Sequence, residues 1–132
     1  MLRFFPFMAL AALAYVLTVT IGGGALASTW LGFTLPSGQP LSLTLADGLL
    51  LLATGLLFAE IMNATSAKAS SIFNHGLSML VFIACGLAFL LVPSCGTGTF
   101  LIITVMCLLD VVAGYSISIL TARRDFALER EG

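Results

Sequence analysis

Four side chains within or at the ends of long apolar runs can carry a proton: Asp47, Glu60, His75 and Asp110. Asp110 is the most exposed to physical argument, because the run from Thr99 to Leu120 around it holds no other charge. An ionised carboxylate at the centre of a bilayer costs at least about 2.5–3.5 kcal/mol on insertion scales. Three arrangements remove that cost. The group is neutral and hydrogen-bonded, it faces water or a moving proton or cation, or a neighbouring polypeptide supplies the missing donor. No Lys or Arg lies within any apolar run to pair with it.

Glu60 and His75 fall near the ends of adjacent runs, at depths where they can form a hydrogen-bonded pair, and histidine titrates near neutrality. With Asp47 at the opposite end and Asp110 between, the four outline a proton relay. The plainer reading places the end residues at headgroup depth, with Lys68 close to Glu60, and it is the preferred one. His75 is also considered as an axial ligand for a haem or chlorophyll-like pigment. A single histidine without a second ligand does not make that site, so no cofactor is expected. The three cysteines, Cys85, Cys95 and Cys107, form no CxxC pair and no metal-ligand cluster, which argues against thiol redox catalysis and a zinc site. GxSxG, HExxH and Walker signatures are absent as well. The chain is therefore not expected to be an enzyme.

The elements that position these groups follow from composition. Of 132 residues, 60% are hydrophobic and 8% charged, against about 45–50% and about 25% in ordinary soluble domains. That excludes a soluble globular domain, a nucleic-acid binder with its basic surface and a disordered chain. Roughly 20 apolar residues cross about 30 Å of hydrocarbon as a helix. Four segments meet this, at about 4–21, 43–62, 72–92 and 99–120. Leu49-Leu50-Leu51-Leu52 shows none of the alternation of a membrane barrel. The expected fold is an all-α membrane protein, an up-down bundle of four transmembrane helices over 1–121. A short cytoplasmic or interfacial tail follows over 122–132.

Arg3, Lys68, Arg123 and Arg124 all fall on one side of such a bundle, and the other side has no cation. The positive-inside rule then puts both termini in the cytoplasm, in a bacterial inner membrane. Arg3, the first apolar run and Ala25-Leu26-Ala27 also resemble a signal peptide. The run of about 18 residues exceeds the usual h-region of about 7–15, so a retained helix is expected. The segment from Gly22 to Ser42 is uncharged and carries Trp30 and Phe33, which suits a loop lying on the outer membrane surface.

Helices associate in lipid through small residues and hydrogen bonds. Asp110, Gly114 and Ser118 repeat every fourth residue, as do Ala14, Thr18 and Gly22. Ser71, Asn74 or His75, Ser78 and Cys85 make a similar face on the third run. A bundle that turns these stripes inward and a subunit that lends one to a partner have the same sequence. With minimal loops and an unpaired acid, the chain reads as a non-catalytic accessory or assembly subunit. Its partners are then the lipid bilayer and other integral membrane subunits, met through the Asp110 and Ala14 stripes. The alternative is a small homo-oligomeric proton-coupled transporter or channel using Asp110.

Overall fold

The computed structural model describes residues 5–23, 25–66 and 71–131. Lys68 and Arg3 lie outside the described residues, as do the side chains of Ser71 and Asn74. Four helices account for most of the chain: α1 (Phe7–Ile21), α2 (Leu45–Ser66), α3 (Ser71–Leu91) and α4 (Gly98–Glu131). Among the described residues, two stretches are long and apolar enough to cross a membrane, Leu45–Thr65 in α2 and Gly98–Arg124 in α4. α1 has 15 residues, a length of about 22 Å at 1.5 Å per residue. α4 runs unbroken for 34 residues, so the segment after 121 continues the fourth helix.

The helices do not pack in chain order. α4 lies against α3, α2 and α1, whereas α1 and α3 meet only loosely. α4 thus forms the spine of the bundle, and 39% of its apolar window is buried inside the protein against 11% for α2. Tyr15, Phe100, Met8, Ile103 and Cys107 are the large side chains at the centre. The Tyr15 and Phe100 rings are 4.7 Å apart. Outward-facing Leu51, Leu52, Phe58, Leu80, Leu90 and Leu120 leave an apolar exterior.

The segment between α1 and α2 departs from the all-α expectation. It contains an antiparallel hairpin of β1 (Thr29–Thr34) and β2 (Pro40–Thr44). Leu31 and Phe33 alternate with small or polar residues on one strand, and Leu41 and Leu43 do so on the other, which is the period-two pattern of a strand. The chain reverses at Leu35-Pro36-Ser37-Gly38, where Gly38 N–H donates to the Leu35 carbonyl at 2.8 Å. Gly38 has φ of 82°, a left-handed conformation that glycine adopts without a Cβ clash.

The ends of two helices are capped locally. Thr44 N–H and Oγ1 donate to Asp47 Oδ2 at 2.9 and 2.7 Å, and Asp47 N–H donates back to Thr44 Oγ1 at 3.3 Å. This is a reciprocal capping box at the start of α2. At α4, Thr97 Oγ1 accepts from Phe100 N–H at 3.2 Å. The Tyr15 hydroxyl donates to the Ser94 carbonyl at 3.0 Å and lies 2.6 Å from Thr97 Oγ1. Since Tyr15 donates its one proton to Ser94, Thr97 is the donor to Tyr15.

Candidate functional site

α1 starts after Pro6 with no side-chain cap of its own. The first-turn amides of any helix lack intrahelical partners; in α1, Ala9 N–H turns back to the Pro6 carbonyl at 3.0 Å, and that of Met8 finds its partner on another helix. Met8 N–H donates to Glu60 Oε2 at 3.0 Å across the α1–α2 interface. The positive end of the α1 dipole and the acid are mutually favourable.

Glu60 is the first member of a buried polar cluster. Ser78 Oγ on α3 donates to Glu60 Oε1 at 3.4 Å and lies beside the Asp110 carboxyl group on α4. His75, one turn before Ser78, interacts electrostatically with Asp110. Its ring stacks at a tilt on Tyr115, with centroids 5.7 Å apart. Glu60, His75, Ser78 and Asp110 are 4%, 3%, 3% and 5% exposed. Every helix contributes: an amide from α1, a carboxyl from α2, a hydroxyl and imidazole from α3, a carboxyl from α4.

Gly114 makes room for this arrangement. A Cβ built on it would fall within the His75 ring, against Nδ1, Cε1 and Cγ. The Asp110–Gly114 part of the α4 stripe therefore faces α3 of the same chain. Ser118, one turn on, is half-buried. In α1, Ala14 and Thr18 are half-buried, and Thr18 Oγ1 donates to the Ala14 carbonyl at 2.8 Å within the helix. Gly22 is exposed and ends α1 with its N–H on the Thr18 carbonyl at 3.0 Å.

The structure brings Asp110, which sequence places near the middle of its span, together with Glu60 and His75, which sequence places at similar depth near the ends of theirs. Asp110 is 12 residues into α4, about 18 Å from its start, which lowers it to the level of Met8 and Glu60. Asp47 is not among them; it caps α2 at the other end. Ser78, which lies between the two acids, was visible as a small polar residue on the α3 face but carried no sign of that role.

An apolar layer closes the cluster toward the hairpin end. Going up α1 from Met8 come Ala11 and Tyr15, and up α4 from Asp110 come Cys107, Ile103 and Phe100, all buried. Thr104 adds no polar step, since its hydroxyl donates to the Phe100 carbonyl of its own helix at 2.9 Å. Within the layer the buried Cys85 and Cys107 side chains are neighbours across the α3–α4 interface. Among the described residues no group of three metal-ligating side chains occurs. Where α1 and α3 separate, an open apolar groove of about 320 Å³ is lined by Ala9, Ala12, Val16, Val81, Ala84 and Ala88, among others. No known protein family, curated protein or solved structure matches this chain.

Proposed function

We propose that the chain is a proton-coupled membrane transporter whose proton-binding site is the Glu60–Ser78–Asp110–His75 cluster. All four helices cross the bilayer in this reading, in a bacterial inner membrane, with both termini and the α2–α3 connection in the cytoplasm. The apolar exterior and the one-sided cations Arg3, Lys68, Arg123 and Arg124 support it. The observation that carries it is two buried carboxyl groups with one hydroxyl between them, beside an imidazole, inside a bundle. A serine hydroxyl has one proton to give and can accept another, so Ser78 links the acids into a path along which a proton moves. Intramembrane acids in such chains mark proton relays. The apolar layer above them, about 10 Å from Met8 to Tyr15 along α1, favours a gated carrier over an open channel.

Solid-supported-membrane electrophysiology tests this without knowledge of the cargo. A pH jump applied to the reconstituted protein drives protons into a site within the membrane field and produces a transient current. The current is expected in the wild type and lost in Glu60→Gln/Asp110→Asn. A wild-type signal no larger than that of protein-free membranes overturns the reading.

A second reading, an accessory subunit, is favoured by the α1–α3 groove. It is lined by small residues, as helix interfaces in lipid are, so it suits a partner helix. Purification in mild detergent with a stoichiometric larger protein supports it; migration alone or as a homo-oligomer overturns it.

A further inference from the structure

The hairpin has one strongly apolar face. Leu31 pairs with Leu43 and Phe33 with Leu41, and directly opposed residues project to the same side of a ribbon. The opposite face carries Gly32 across from Ser42 and Thr34 across from Pro40. Leu31 and Phe33 are 42% and 50% exposed. Leu41 and Leu43 are half-buried, and among the described residues no other strand joins the hairpin, although a two-stranded hairpin alone is marginally stable in water. The hairpin base is anchored. At the irregularity between Thr29 and Leu31, Trp30 Nε1 donates to the Thr44 carbonyl at 3.1 Å. The indole also lies 3.2 Å from where a Cβ on Gly48 would stand, so any larger residue there would press on it.

We infer that this face is a lipid-docking surface, with the Leu31–Phe33–Leu41–Leu43 patch seated in the interfacial region of the outer leaflet. Two observations select lipid over a protein. No acidic or basic residue occurs between Arg3 and Asp47, so the patch lacks the charged rim of a protein interface. It is also continuous with the apolar exposed side of α2: β2 passes directly into that helix at Leu45, and Leu51, Leu52 and Phe58 are exposed along it. The inference rests on the membrane reading and is independent of the proton cluster.

Trp30 is the only tryptophan, so a single indole can be moved onto the patch. Trp30→Phe/Phe33→Trp is reconstituted into phosphatidylcholine vesicles and its emission measured with doxyl-labelled lipids, shallow or deep. Vesicle flotation reports separately whether the protein is integrated. Flotation with blue-shifted emission, quenched more by the shallow label than by the deep one, supports the inference. Flotation with red-shifted emission that neither label quenches overturns it while the membrane reading stands. Failure of the wild type to float overturns both. Emission shielded from water and unquenched, with a concentration-dependent crosslinked dimer, overturns it in favour of a second copy. The wild-type Trp30 signal, read with the same labels, reports the depth of the hairpin base.

Discussion

Replacing Gly114 with alanine probes the centre of the cluster with a single methyl group. The new Cβ meets the His75 ring, and that ring is held by Tyr115 on one side and the bundle on the other. Overpacking of this kind costs about 1–3 kcal/mol. Alanine returns up to about 1 kcal/mol through its better helix propensity, so the net loss is up to about 2 kcal/mol. The decisive comparison is made with His75→Ala. Removing the ring leaves the propensity term alone, and Gly114→Ala then becomes neutral or stabilising by up to about 1 kcal/mol. The assay is thermal unfolding of the four purified proteins of this double-mutant cycle in one detergent. Equal losses in both backgrounds, or no loss in the wild-type background, would refute the claim that Gly114 exists to admit His75.

Two further outcomes follow from the same geometry. Glu60→Ala leaves the Met8 amide of α1 buried without an acceptor and is expected to destabilise by about 1–3 kcal/mol, with Glu60→Gln losing less; amide exchange at Met8 and a melting curve check this. In a Cys95→Ser variant, mild oxidation with diamide should join Cys85 to Cys107 within one chain, seen as loss of both titratable thiols without dimer on a gel; persistence of two free thiols would mean that α3 and α4 do not meet there.

The helices were legible because they are long runs without charge, separated by Gly, Pro and Ser. The members of the cluster were legible one by one for the same reason, since an acid or histidine in such a run stands out. Their meeting was not. It depends on helix rotation, on relative depth and on α4 lying between α2 and α3, and none of these is written in the spacing of a single run. Asp47 shows the reverse case. Thr44-Leu45-Ala46-Asp47 is a capping pattern legible in the order of its residues, yet the acid is drawn into a relay if only its charge is considered. The hairpin, too, left its mark in the alternation around Pro36-Ser37-Gly38. Read as uncharged interfacial sequence, that mark was hidden by hydrophobicity shared with the helices.

The bond from Met8 to Glu60 has a mechanical consequence. Between Phe5 and Ile21 α1 carries no charge that would pin it to either surface of a bilayer, and a greasy rod of that kind can slide along its own axis like a piston. The carboxyl group on the second helix acts as a stop that halts this sliding at one height. Because the hairpin hangs from the far end of the same rod, that stop sets its altitude above the lipid as well.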